Sequence, residues 1–78
     1  MKKYPVVDND RGFKLYGETR DTYGALIRVK ESSADPLIQG WLFIEGGVLD
    51  GNDGAAHLTV EQAKDVIAAL RRFVRDKA

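Results

Sequence analysis

Apolar residues recur at helical spacing in the last third of the chain, where they form a single stripe. The stripe consists of Ala63, Val66, Ile67, Leu70, Phe73 and Val74. Spacings of three and four residues place such side chains on one face of an α-helix. Thr59 stands at an N-cap position, and Gln62, three residues later, completes the spacing of a capping box. The pattern therefore predicts one amphipathic helix that packs its stripe against the rest of the chain.

Upstream of this helix the pattern changes to the period of two that is typical of strands. Residues 23–31 alternate most clearly, and Tyr23, Ala25, Ile27 and Val29 form the face that we expect to meet the helix. Residues 13–18 predict a half-buried strand, with Phe13 and Leu15 on one face and Lys14 and Tyr16 on the other. Residues 4–7 and 55–58 predict two short strands, the first at an edge because Pro5 lacks a backbone donor.

The most apolar stretch lies at residues 37–45 and contains the uninterrupted run Trp41, Leu42, Phe43, Ile44. A run without a polar break is typical of a strand that is covered on both faces. The predicted helix would cover one face. The N-terminal segment or a second copy of the chain could cover the other, and we expect the second copy, because large apolar patches usually mark interfaces.

These elements predict an α+β fold in which an antiparallel β-meander of three or four strands carries one C-terminal α-helix on one face. Sequential strands with short connections favour the meander. Residues 1–78 make a single small domain, and a chain of this size has a modest core. Self-association is one way for such a domain to gain stability.

Composition narrows the classes of function. Twelve basic and twelve acidic residues give a formal net charge of zero, which argues against a protein that binds nucleic acid by bulk charge. There is no cysteine, so disulfides and thiolate metal sites are excluded and a reducing cytoplasm is the expected compartment. No apolar run has the length of a membrane span or the pattern of a signal peptide, so we expect no membrane association.

Two features invite a chemical interpretation, and both are weak. Asp50, Asn52 and Asp53 with Glu61 resemble a calcium loop, but glycine occupies the fifth loop position in place of the sixth, so we expect no metal site. His57 is the only histidine, and no nucleophile motif or second histidine accompanies it. We therefore expect no enzyme and no cofactor, with small-molecule binding or hydrolysis near His57 as an alternative.

Recognition of a partner is the better-supported chemistry. Arginine, tyrosine and carboxylates cluster around the connection after residue 18, and such groups are frequent in interfaces. Together with the aromatic residues of the apolar run they form the predicted partner-binding set: Tyr16, Glu18, Arg20, Asp21, Tyr23, Trp41 and Phe43.

A second alternative is a small nucleic-acid-binding regulator. Arg71, Arg72 and Arg75 lie within one turn of each other near the end of the predicted helix and form a compact basic spot. Cations at this end also complement the helix dipole, so the spot has a purely structural explanation as well.

Residues 17–25 (GETRDTYGA) and 50–63 (DGNDGAAHLTVEQA) resemble small proteins of actinobacteria and their phages. Residues 3–7 are similar to the first strand of HicB-type antitoxins, and the strand-to-helix ending is similar in layout to the dimerisation domain of a nucleoid protein. The resemblance implies a phage or bacterial accessory protein in the cytoplasm and no catalytic residue. We therefore expect a non-enzymatic protein-interaction module that acts as a homodimer.

Overall fold

The computed structural model describes residues 3–7, 12–35, 37–46 and 55–78. Its four strands form one antiparallel sheet in chain order: β1 (Val6–Val7), β2 (Lys14–Arg20), β3 (Leu26–Glu31) and β4 (Gly40–Glu45). One helix, α1 (Val60–Lys77), packs on one face of the sheet, mainly over β2 and less over β3. The predicted α+β meander with a C-terminal helix is confirmed.

The start of α1 follows the sequence prediction. The Thr59 hydroxyl accepts a hydrogen bond from the Gln62 backbone N–H at 3.2 Å, and the Gln62 side chain accepts one from the Thr59 N–H at 2.9 Å. This reciprocal capping box satisfies two backbone donors that the first turn leaves unpaired. It can be predicted because the signal lies within four consecutive residues.

Three strand predictions need correction. β2 extends to Arg20 and β3 begins at Leu26, because the residues that flank the turn pair with each other across the hairpin. Residues 55–58 do not form a strand. They run beside the β2–β3 turn, where the His57 carbonyl accepts a hydrogen bond from the Thr22 N–H at 2.8 Å.

The pairing register assigns side chains to the two faces of the sheet, because residues opposite each other share a face. On the helix side lie Gly17, Thr19, Ile27, Val29, Gly40, Leu42 and Ile44. On the outer face lie Glu18, Arg20, Leu26, Arg28, Lys30, Trp41, Phe43 and Glu45. Ile27 and Val29 are buried on the helix side, as predicted.

A β-bulge interrupts the alternation of β2 between Leu15 and Gly17. Leu15, Tyr16 and Gly17 are consecutive and all buried, so this part of the strand is not half-buried as the alternation predicted. A bulge leaves one extra residue on its strand and changes the direction of neighbouring side chains, which a period of two cannot represent.

The core lies where α1 crosses β2. It is formed by Tyr16, Val29 and Ala69, with the Phe73 ring packed against it. A Cβ atom placed on Gly17 would lie 2.6 Å from the Cβ of Ala69. The helix therefore lies so close to β2 that only a glycine fits beneath it.

We call this close position of α1 on Gly17 the seat of the helix. It turns the predicted stripe partly away from the sheet. Ala69, which is not a stripe residue, is the buried residue of α1, whereas Ile67, Leu70 and Val74 are 47%, 41% and 62% exposed. The prediction that the whole stripe packs in the core is therefore wrong. Periodicity locates an apolar face, but the contact between Gly17 and Ala69 decides how the helix is rotated.

The helix covers β4 only at Gly40, where the Phe73 ring packs against the strand, and it leaves the following residues exposed. Trp41 on the outer face is 43% exposed, and Leu42 on the helix side is 53% exposed. The expectation that α1 covers one face of this strand is wrong, because α1 lies over β2 and β3.

Gly17→Ala tests this seat. We expect the extra methyl group to force α1 and β2 apart and to lower the free energy of unfolding by about 1–3 kcal/mol, measured by urea denaturation. In the double variant Gly17→Ala/Ala69→Gly the space is restored, so its loss should be smaller than the sum of the two single losses.

Ala63→Gly is the control for Ala69→Gly, since it carries the same helix-propensity cost of about 1 kcal/mol without facing Gly17. Strictly additive losses in the double variant would contradict the proposed contact.

Candidate functional site

The Asp21 carboxylate organises the turn between β2 and β3. Its Oδ1 accepts hydrogen bonds from the backbone N–H groups of Tyr23 at 2.8 Å and Ala25 at 2.9 Å, and its Oδ2 accepts one from the His57 N–H at 3.0 Å. Gly24 completes the turn with φ of +85°, a conformation that glycine adopts without strain. One side chain thus closes the hairpin and fixes the segment that leads into α1.

These bonds stabilise the ionised carboxylate. The hydrogen bond from the His57 backbone lowers the pKa of Asp21, burial opposes it, and the bonds from Ala25 and Tyr23 lower the pKa further, so that it lies below its ordinary value. Asp21 is only 6% exposed. Both of its oxygens are occupied by backbone donors of the same chain.

Around this turn the structure brings several predicted residues together. The Arg20 guanidinium donates to the Gly24 carbonyl at 2.9 Å. The Tyr23 ring meets the His57 ring edge-on, with 5.0 Å between ring centroids. The Asp21 carboxylate binds the backbone N–H of the exposed His57, and its Coulombic interaction with His57 also lowers the pKa of Asp21.

Tyr16 lies apart from this group, completely buried beneath the end of α1. Its hydroxyl donates to Asp76 Oδ2 at 2.5 Å, and Lys14 Nζ donates to the same oxygen at 3.1 Å. Lys77 Nζ donates to Glu31 Oε2 at 2.5 Å, and the Lys14 N–H donates to Glu31 Oε1 at 2.7 Å. These five residues form a polar cluster that ties the end of the helix to β2 and β3.

The contacts within the cluster shift the pKa values of Tyr16, Glu31 and Asp76. Burial, followed by the hydrogen bond to Asp76, raises the pKa of Tyr16 above its ordinary value. The hydrogen bonds from Tyr16 and Lys14 lower the pKa of Asp76. Burial alone would raise the pKa of Glu31, but the hydrogen bonds from Lys77 and the Lys14 backbone outweigh it, and the pKa lies below its ordinary value.

Sequence reasoning missed this cluster. Its members are ordinary polar and charged residues, and the bonds that tie α1 to the sheet join positions 46 to 62 residues apart. The prediction assigned the cations near the end of α1 to the helix dipole or to a basic spot for nucleic acid, and gave them no partner in the sheet. Nothing in the local pattern indicates that Asp76 reaches a buried tyrosine on β2.

The outer face holds four of the predicted partner-binding residues: Glu18, Arg20, Trp41 and Phe43. The rings of Trp41 and Phe43 pack with 4.7 Å between centroids, and Lys30 Nζ lies 5.6 Å from the centre of the Phe43 ring. Arg28 pairs with Glu45 at 2.9 Å on the same face. The aromatic pair therefore stands at the outer edge of the sheet, bordered by charged groups.

On the helix side, an exposed apolar surface borders β4. We call it the apolar flank and define it by Leu42 of β4 with Ile67, Leu70 and Val74 of α1. Arg72 faces Tyr4 near β1, whereas the position of Gly40 on β4 lies against the Phe73 ring. Leu70, three residues before Phe73, therefore lies on the β4 side of the helix.

The helical part of this flank forms a shallow groove of about 410 Å³, lined by Ile67, Leu70, Arg71, Val74 and Arg75. Its floor is apolar and two guanidinium groups border it. A surface of this kind is typical of a protein contact, because isolated exposed apolar residues are common but contiguous ones are not.

Besides the aromatic pair and the apolar flank, the outer edge of β4 is exposed, since none of the described residues pairs with it. The Ser32 N–H donates to the Gln39 carbonyl at 2.9 Å, which fixes the phase of the β3–β4 ladder. Because hydrogen-bonded pairs alternate along antiparallel strands, the backbone groups of Gly40, Leu42 and Ile44 point away from β3.

The three arginines of α1 do not form one spot. Arg72 donates from Nη1 to the Tyr16 carbonyl at 2.9 Å and stacks over the Tyr4 ring at 5.0 Å, so it is half-buried against β2. Arg71 and Arg75 are exposed and border the groove. The arrangement therefore offers two accessible guanidinium groups where the spacing suggested three.

Other chemical possibilities receive no support within the described ranges. In residues 3–7, 12–35, 37–46 and 55–78, no group of His, Asp and Glu side chains could hold a metal ion. The calcium-like loop at Asp50 to Asp53 lies outside them. The one helix in this part of the chain lacks the length and hydropathy to span a bilayer.

No protein-family model matches the sequence, and neither a curated protein nor a solved structure matches it. The interpretation of the surface around β4 rests on its geometry.

Asp21→Asn tests the turn. The amide oxygen can still accept from Tyr23 and Ala25, but the NH2 group that replaces Oδ2 cannot accept from His57. We expect hydrogen exchange at the His57 amide to accelerate by roughly tenfold, the effect of losing one charge-assisted hydrogen bond, while the Ala25 amide stays protected. NMR-detected exchange measures both amides. Asp35→Asn is the matched control, and unchanged exchange at His57 would refute this role of Asp21.

The polar cluster predicts a two-sided pH dependence of stability. Glu31 and Asp76 have lowered pKa values in the folded state, so their contribution is present above their ordinary values of 4.5 and 3.8 and is lost as the pH falls below them. The pKa of Tyr16 is raised, so its contribution is present below its ordinary value of 10.0 and is lost as the pH rises above it.

Tyr16→Phe keeps the buried ring and removes the hydroxyl. We expect urea denaturation at neutral pH to show a loss of about 1 kcal/mol, and the alkaline decrease should become shallower. Tyr23→Phe, at a half-exposed ring, is the control. An alkaline decrease of the same steepness in Tyr16→Phe and wild type would contradict the assignment.

Proposed function

We propose that this chain is a non-enzymatic protein-interaction module that acts as a homodimer, and that β4 and the apolar flank form its interface. One observation carries the proposal: four apolar side chains that the sequence predicted to be buried are exposed, Leu42 on β4 and, around one groove of α1, Ile67, Leu70 and Val74. Trp41 and Phe43, which were predicted to bind a partner, lie on the same strand.

The dimensions of the fold explain why this side needs a partner. Four strands at a spacing of about 4.8 Å span roughly 19 Å, whereas a helix with its side chains is about 10 Å wide. One helix seated over β2 therefore covers only about half of the sheet. The uncovered half contains β4, with Leu42 at 53% exposure.

Two properties favour a second copy of the chain as the occupant. The formal net charge is zero, so two copies meet without net repulsion, and proteins with no net charge associate readily. The interface is also self-complementary, because a two-fold axis places the apolar strand of one copy against the apolar strand of the other.

The role of a phage or bacterial accessory protein in the cytoplasm is part of the proposal, and the resemblance described above and the cysteine-free sequence support it. The nucleic-acid alternative has less support, because Arg72 is occupied by Tyr4 and the Tyr16 carbonyl.

Sedimentation velocity across the micromolar range tests the proposal. We expect wild type to sediment as a dimer and Leu42→Gln/Leu70→Gln to shift towards monomer, with a dissociation constant raised by at least about tenfold, because each apolar side chain kept from water contributes about 1.5–3 kcal/mol.

Val7→Gln is the matched control, since Val7 is equally apolar and 67% exposed but lies at the opposite edge of the sheet. It should leave association unchanged. A wild-type protein that stays monomeric throughout this range would exclude the homodimer.

A further inference from the structure

We infer that the two copies join edge to edge, with β4 of one copy hydrogen-bonded antiparallel to β4 of the other across a two-fold axis. The two four-stranded sheets then become one continuous sheet. This inference rests on the proposed homodimer and adds how it is made.

The two edges of the sheet differ in how they are protected. β1 is two residues long and directly follows Pro5, and both a short strand and a proline discourage further pairing. β4 is six residues long, contains neither proline nor lysine, and pairs with β3 without a bulge. A long, regular and apolar edge strand is a ready template for another strand. Self-association through the sheet is therefore expected at β4.

The outward groups of β4 also determine the register. Gly40, Leu42 and Ile44 present their N–H and C=O groups to the outside, and pairing Leu42 with Leu42 of the second copy places Gly40 opposite Ile44 on both sides of the axis. Each such pair exchanges two bonds, so this register forms about six backbone hydrogen bonds. Moving the register by two residues in either direction leaves one of the three positions without its partner in the other β4.

The same register places compatible side chains opposite each other. On the helix side, Leu42 meets Leu42 of the second copy. On the outer face, Trp41 of each copy lies opposite Phe43 of the other, which extends the aromatic pair already present in each chain. Glu45 lies opposite Gln39, so the strand ends bring no like charges together.

The position of α1 is compatible with this arrangement. The helix lies mainly over β2 and β3 and reaches β4 through the Phe73 ring, which packs on the helix side of Gly40 and leaves its outward backbone groups clear. After pairing, the two helices lie on the same side of the joined sheet, separated by the seam between the β4 strands. The seam is thus floored by Leu42 and Ile44 of both copies.

Backbone hydrogen exchange gives the first test, with the alternation along β4 as its internal control. In the monomer, the amides of Trp41, Phe43 and Glu45 are protected by β3, whereas those of Leu42 and Ile44 face outward. NMR-detected exchange is measured at protein concentrations below and above the dissociation constant found by sedimentation. We expect the Leu42 and Ile44 amides to become protected at least about tenfold as the dimer forms.

Cross-linking through single cysteines gives the register, since the chain contains no cysteine of its own. In the inferred register, Leu42 of one copy lies opposite Leu42 of the other. Their Cα atoms are about 5.5 Å apart, which is within disulfide range. Two Ile44 residues would be offset by four positions, or about 14 Å. We expect Leu42→Cys to form a covalent dimer under mild oxidation and the matched control Ile44→Cys not to do so.

The possible outcomes separate the inference from the proposal on which it rests. Protection of the outward amides together with preferential cross-linking of Leu42→Cys supports edge pairing in this register. A dimer whose Leu42 and Ile44 amides remain unprotected, or in which Leu70→Cys cross-links and Leu42→Cys does not, overturns edge pairing while the homodimer stands. The absence of any dimer overturns both.

Discussion

The close contact between Gly17 and Ala69 is the constraint on which the rest of the structure depends. A side chain on Gly17 would collide with Ala69, so α1 lies directly on β2. From this seat, Phe73 reaches the core beside Gly40, and Arg72 reaches the Tyr16 carbonyl and the Tyr4 ring. The same seat turns Ile67, Leu70 and Val74 away from the sheet and leaves β4 exposed. The exposed apolar surface is therefore a consequence of where the smallest side chains permit close packing.

Two polar arrangements hold the helix in this seat from its ends. At the start, the segment before Thr59 is tied to Asp21 through the His57 backbone. At the end, Asp76 and Lys77 bond to Tyr16 and Glu31. Because both ends and the middle are attached to the β2–β3 half of the sheet, sliding α1 across to β4 would break all three attachments. A helix held in this way does not compete with a partner for the exposed strand.

Local signals determined what could be predicted from the sequence. The strand order and the capping box depend on neighbouring residues, and both were confirmed. The rotation of α1 was not predicted, because it depends on a contact between two small residues far apart in the chain. Asp21 looked like a surface residue because the residues around it have the composition of a polar loop. Its carboxylate instead accepts hydrogen bonds from three backbone N–H groups. The unbroken run from Trp41 to Ile44 contained no polar residue that could reveal an exposed face.

The long sequence separation between α1 and β2 has a consequence for folding order. The hydrogen bonds that join them span 46 to 62 residues, whereas β2, β3 and β4 are joined by short connections. Closing long loops costs more entropy than closing short ones, so the hairpins are expected to form before the helix docks. During that interval the helix side of the sheet is bare while the edge of β4 is already complete. A high concentration of nascent or refolding chains therefore favours strand pairing between copies over docking of the helix. The yield of native protein is then expected to rise as the protein concentration during refolding is lowered.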